Sequence, residues 1–273
     1  MENQESYIKE ITHCLARELD ARSILCYGSY AHGLHDEKSD RDLLLLTDEK
    51  IPSHNARRLA YEKIPNLQIL SLDKKNLGDW DNSWSPINDQ LQVGNQVLDI
   101  GYNTVVWVNQ VIKKLIYEHQ ITFDAFPFRP YTFLGLLETS QIFFDKEGFI
   151  EKCRTKIRPM PKELKEKIIK AFLPQLQEYY QDLLDCAERA IGILAFEHFL
   201  FRGLDALIQL LFVMNEVYDP ASKRTEAFLF KLKKLPKDLD VFINTILPRF
   251  YENKREVCDF FKEAIHFITT STE

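Results

Sequence analysis

Cysteine is scarce and scattered in this sequence. The 273 residues hold five (Cys14, Cys26, Cys153, Cys186 and Cys258), odd in number and nowhere as C-x-x-C. That pattern excludes a disulfide scaffold and reads as reduced, mostly buried thiols of a cytoplasmic protein. None of the seven histidines completes a ligand spacing with them, which argues against zinc. Glycine is also low, at nine, and five of the nine precede residue 105, as expected for a turn-rich first part and a helical remainder. No apolar run approaches the ~20 residues that span a bilayer, and the opening MENQESYIKE lacks the shape of a secretion signal. Positive charge is not in excess either. Thirty-five Lys and Arg face 41 Asp and Glu, a net charge of −6. The field of the whole molecule therefore opposes a nucleic-acid partner, leaving only a local patch for one.

What is present is an ordinary soluble composition, 45% hydrophobic and 28% charged, long enough for one large domain or two modest ones. Tyr7, Ile8, Ile11, Cys14, Leu15 and Leu19 recur at helical spacing, so residues 2–20 read as an amphipathic helix. Strands are expected at Ser23–Tyr27, over "DLLLLT" (42–47), at Leu67–Leu72 and at Gln96–Tyr102, with a helix at His54–Ile64. Strands interleaved with helices define an α/β or α+β sheet domain over roughly the first 105 residues. After Thr104 the character changes. "VVWVNQVIKKLIYEH" is helical, FPFRP (126–130) marks a break, and helices are expected at about 133–143, 161–184, 186–217, 223–234 and 238–269. Pro174 should kink its helix, and the last helix should be interrupted near Pro248. The expected organisation is a sheet domain over 1–118 and an all-α bundle over 119–273.

The stretch "YGSYAHGLHDEKSDRDLLLLT" (27–47) carries the chemistry. Gly28 lets backbone approach a ligand closely, and Ser29 adds a hydroxyl and an exposed amide, together a cradle for phosphate oxygens. Asp40 and Asp42 alternate around Arg41, so on a strand both carboxylates point to one face. Two carboxylates crowded at a strand edge call for a positive partner. Hard oxygen ligands at this spacing suit Mg²⁺, which takes one or two carboxylates together with phosphate oxygens and water. Asp99, in "QVLDIGY", reaches the same place if its strand lies beside 42–47. Three acids, a Gly-Ser turn and Mg²⁺ are the parts of a two-metal site for phosphoryl or nucleotidyl transfer.

Gly28-Ser29, the spacing to Asp40-x-Asp42 and a later acid on a strand resemble the polymerase-β-type nucleotidyltransferase superfamily. Ser39 before Asp40 resembles the S-D-x-D form of its small-molecule branch, which includes aminoglycoside and lincosamide adenylyltransferases. The resemblance implies a nucleotidyltransferase sheet domain that moves NMP, and in particular AMP, from an NTP–Mg²⁺ complex to a hydroxyl of a small acceptor. It makes Asp40, Asp42 and Asp99 the catalytic and metal-binding acids, and Gly28, Ser29 and Ser39 nucleotide-binding residues. Arg41 departs from the pattern, since many members carry a hydrophobic residue there; it faces either solvent or substrate. Two alternatives remain: modification of a protein or tRNA, as in antitoxin-type members, or a catalytically silent nucleotide-binding module.

In the helical half, His198, Arg202, Asp205 and Gln209 are spaced 4, 3 and 4 apart and share one helix face. That face is either an ordinary exposed one, with Arg202 and Asp205 paired locally, or the lining of a cleft in which Arg202 meets phosphate. "NEVYDPASK" (215–223) is similar to a string in the small-molecule branch, which makes Lys223 either a triphosphate contact or a surface lysine. Trp80 and Trp84 either stack on a base or acceptor ring or cover the core. His32 and His35 lie in the loop over the site, where they either touch substrate or have no specific role.

Overall fold

The computed structural model describes residues 2–73, 84–121, 129, 131–189, 191–220 and 225–272. They form two compact units. The first runs to Pro159, and the second begins at Met160 and holds nearly all the rest.

The first unit is built on a six-stranded sheet. Its chain order is α1 (Glu2–Glu18), β1 (Ser23–Tyr27), a short helical turn α2 (Gly28–Ala31), β2 (Arg41–Thr47), α3 (His54–Glu62), β3 (Leu67–Ser71), β4 (Ile87–Val93) and β5 (Gln96–Thr104). Then follow α4 (Val105–Ile112), α5 (Thr132–Thr139), β6 (Gln141–Asp145) and α6 (Phe149–Ile157). The strands lie in the order β3-β4-β5-β2-β1-β6. β2 pairs parallel with β5 and antiparallel with β1, so the most apolar strand sits inside the sheet, as its uninterrupted leucines require.

Alternation along the strands gives the sheet two faces. Ile24 and Cys26, Leu43 and Leu45, and Leu98, Ile100 and Tyr102 join one core with Ile8, Ile11 and Leu15 of α1 and Ala60 and Tyr61 of α3. Tyr27, Asp42 and Asp99 therefore belong to the other face. The first layer also encloses a polar knot. Arg57 of α3, 1% exposed, donates from Nε to Asp89 Oδ2 at 2.7 Å and from Nη1 to the Pro52 carbonyl at 2.6 Å. Tyr61 donates to the same Asp89 oxygen at 2.7 Å and is hydrogen-bonded to Tyr102. Asp73 pairs with Arg57 through its side chain, and its amide donates to Asp89 Oδ1 at 2.9 Å.

Two strands depart from the sequence expectations. β4 (INDQLQV) lay in no expected element, and β6 begins inside the helix expected at about 133–143. β6 pairs with β1 at the sheet edge, which is why the first compact unit extends past residue 118.

The second unit is helical: α7 (Lys162–Glu188), α8 (Ile193–Met214), α9 (Thr225–Leu229), α10 (Leu239–Val241) and α11 (Lys254–Thr272). α7 runs as one helix through Pro174. The chain breaks into π and 3₁₀ turns over Phe242–Ile246 and Leu247–Arg249, so the interruption falls at Pro248. Leu176, Leu183, Phe196, Leu207, Leu210, Phe242 and Phe261 anchor this unit's own core. Gly203 is tight: a Cβ there would stand 2.6 Å from the Phe261 ring. Among the described residues, no helix is long and apolar enough to cross a membrane.

Candidate active site

The candidate site lies along one row of sheet register. β1 and β2 pair Tyr27 with Asp42, and β2 and β5 pair Asp42 with Asp99. β4 and β5 extend the row by pairing Gln90 with Asp99. Partners in register project to the same side of a sheet, so the two strand carboxylates are immediate neighbours. The adjacency of β2 and β5, on which the role of Asp99 depended, is therefore present. Asp42 and Asp99 are both part-buried, whereas Asp40 is exposed and lies one residue before β2.

The Gly28 turn closes over this row. Gly28 has φ of +68°, a conformation open to glycine and strained for other residues. A Cβ placed on it would stand 2.3 Å from Asp42 Oδ2. The turn backbone thus lies against the carboxylate because residue 28 has no side chain. Tyr27 senses the collected charge. Desolvation, followed by the negative charges of Asp42 and Asp99 and smaller contributions from Cys26 and Asp40, raises its phenol well above the ordinary tyrosine value. All three acids therefore act on one point, and Tyr27 stays a neutral hydroxyl at any physiological pH.

Arg41 does not face solvent. It is 5% exposed, and its guanidinium lies 4.2 Å from the centre of the Tyr30 ring. Tyr30 is also stacked on His35 at 4.0 Å, so His35 is engaged with α2. Ser39 belongs to a small turn: its hydroxyl donates to Asp36 Oδ1 at 3.0 Å and accepts from the Asp36 amide at 2.9 Å.

The residues expected from the second half of the chain belong to the helical unit or fall outside the described residues. Arg202 is exposed on α8 of the helical unit, its guanidinium 5.9 Å from the Tyr179 ring. The shared face sinks along the helix, from exposed His198 and Arg202 to Gln209, which is 3% exposed and donates to Asp219 at 2.8 Å. Lys223 and Trp80 lie outside the described residues. Trp84 is buried edge-on to Phe133, so it covers the core.

Among the described residues, no group of three or more His, Cys, Asp or Glu side chains forms a ready cage for a metal ion. Mg²⁺ does not need one, because it fills its octahedron with one or two carboxylates plus phosphate oxygens and water. The registered pair Asp42 and Asp99 meets that requirement, beside a turn that admits no side chain. The residues present fit the ion.

Residues 8–75 match the model of the nucleotidyltransferase domain, a segment that includes Gly28, Ser29, Asp40 and Asp42. The first unit therefore carries a nucleotidyltransferase domain of the polymerase-β-like type, a class that transfers a nucleotidyl group from a nucleotide substrate. Residues 130–225 match a second model, a domain of unknown function (DUF4037). Among solved structures the chain is similar to a nucleotidyltransferase-like protein from Exiguobacterium sibiricum 255-15. The identity is 10%, over 96% of this chain and 75% of that one, with a TM-score of 0.44. No protein of curated function matches the sequence.

Tyr27, Tyr30 and Gln96 were not singled out as site residues from the sequence. Gln96 offered one local signal, a long polar side chain at the first position of a strand whose next two residues are apolar.

Proposed function

We propose that this protein is a cytoplasmic, Mg²⁺-dependent nucleotidyltransferase that moves AMP from ATP to a hydroxyl of a small acceptor, releasing pyrophosphate. The observation that carries the reading is the registered pair Asp42–Asp99, with the Gly28 turn laid against Asp42. Mg²⁺ held by Asp42 and Asp99, with Asp40 at the loop edge, would neutralise phosphate charge and make the attacking hydroxyl more acidic. The Gly28-Ser29 backbone and the Ser29 hydroxyl hold phosphate oxygens. Asp99 serves either as that ligand or as the base that takes the proton of the acceptor hydroxyl; the hydroxyl oxygen bonds to the α-phosphorus as the bond from that phosphorus to the bridging oxygen breaks, and pyrophosphate leaves. Charge stabilisation at the phosphorus is the main source of rate, as expected where donors and acceptors are preorganised on a rigid sheet.

The reading is tested by melting the protein with each NTP in the presence of Mg²⁺ or Mn²⁺. A ligand that binds only the folded state at 100 times its Kd adds about 2.7 kcal/mol, which raises Tm by roughly 5–10 °C for a unit of this size. ATP with Mg²⁺ should give that shift in the wild type and little of it in Asp42→Asn. A melt indifferent to every NTP with either metal would sink the reading. Transfer of ³²P from each NTP into metabolite, RNA and protein pools then identifies the acceptor. Label confined to RNA or protein would replace the small acceptor.

A further inference from the structure

Gln96 opens β5 and is 7% exposed. Its carboxamide joins three segments of the site. Nε2 donates to the Ser39 carbonyl at 3.0 Å and to the Val97 carbonyl at 3.1 Å, and Oε1 accepts from the Tyr30 hydroxyl at 2.6 Å. The two ends are not interchangeable. A carbonyl can only accept, so the nitrogen must face Ser39, and the oxygen is left for Tyr30. Tyr30 belongs to the same short helix as Gly28 and Ser29, Ser39 immediately precedes Asp40, and Gln96 lies on the strand of Asp99. The β2–β5 ladder begins at the pair Arg41 and Leu98, so it stops one residue short of Asp40. The peptide on the other side of Asp40 is held by Gln96.

We infer that Gln96 is a positioning residue for nucleotidyl transfer: its carboxamide sets the spacing between the phosphate-binding turn, Asp40 and the Asp99 strand. The inference rests on the function proposed above. Groups that orient a metal-binding carboxylate typically account for 10–100-fold in metal affinity. The test uses the full chain as wild type, Gln96→Ala and Tyr30→Phe, the last keeping the ring that stacks on His35 and Arg41. Two quantities are read: amide hydrogen exchange of peptides covering 36–42, and Mg²⁺ affinity by calorimetry with ATP present. Gln96→Ala should speed exchange in 36–42 about tenfold, leave the β2 core over 43–46 protected, and weaken Mg²⁺ by 10–100-fold. Tyr30→Phe should do the same to a smaller degree, and the double variant should be no worse than Gln96→Ala. Unchanged exchange in both single variants would remove the brace itself. Faster exchange with unchanged Mg²⁺ affinity would reduce Gln96 to a structural role. A wild type that binds no Mg²⁺ with any NTP overturns the proposed function and the positioning role with it. In that event the exchange data still report whether the brace exists, which separates the two failures.

Discussion

At the scale of the residue, the site turns on what Gly28 lacks. Two glycines near it share a left-handed conformation, Gly28 at φ +68° and Gly33 at φ +67°. A Cβ on Gly33 meets nothing within 4 Å, whereas one on Gly28 runs into Asp42. Alanine at either position costs about 1 kcal/mol or somewhat more in backbone strain. Only Gly28→Ala also pushes the Asp42 carboxylate aside. The paired variants therefore separate the two effects. Gly33→Ala should lower Tm by a few degrees and keep ATP–Mg²⁺ affinity, and Gly28→Ala should lower both, with affinity down at least tenfold by calorimetry. Equal affinities in the two variants would show that the close approach at Gly28 has no part in binding.

At the scale of the element, the polar knot beneath the sheet explains both a source of stability and a strand hidden from sequence reading. Asp89 is fully buried and accepts from Arg57, Tyr61 and the Asp73 amide, so without it the buried Arg57 guanidinium loses its fully buried counter-charge. Removing one side of a buried charged pair costs about 3–5 kcal/mol. Asp89→Ala should accordingly lower Tm by roughly 10 °C or more in a thermal melt; a drop of a degree or two would show that the knot relaxes around the gap. The same residue obscured β4. INDQLQV places an acid at a core position, so the alternation that marks a strand is broken where Arg57 reaches in from another element. β1, β2 and β5 were legible because their inward positions are apolar, and Gly28, Asp40, Asp42 and Asp99 because their spacing is local or their strand plain. β6 was not, since only Ser140 separates α5 from QIFFD, with neither glycine nor proline to mark the end of the helix. Gln96 was not either, because its partners at 30 and 39 come together only through the pairing of β5 with β2.

At the scale of the whole molecule, each unit has its own core, and the thiols are divided between them. Cys14, Cys26 and Cys153 lie in the first unit and Cys186 and Cys258 in the second, none in a disulfide and all but Cys14 buried. Burial pushes the Cys153 and Cys258 thiols up to about 11. Alkylation needs the thiolate, which at pH 8 is then about one part in a thousand of each. A pulse of alkylating reagent on the native protein should label Cys14 alone, and labelling of Cys186 and Cys258 under rising denaturant should follow the opening of the helical unit; prompt native labelling of Cys153 or Cys258 would contradict their burial. The parallel pairing of β2 with β5 carries one more consequence, in time. Parallel neighbours cannot be joined by a tight hairpin, so the chain must complete α3, β3 and β4 before Asp99 reaches Asp42. Such a long-range contact forms only after its loop-closure entropy has been offset by the intervening structure. A chain emerging from the ribosome has Gly28, Asp40 and Asp42 well before it has a paired site, and the row Tyr27–Asp42–Asp99 is complete only in a late step, when β5 docks.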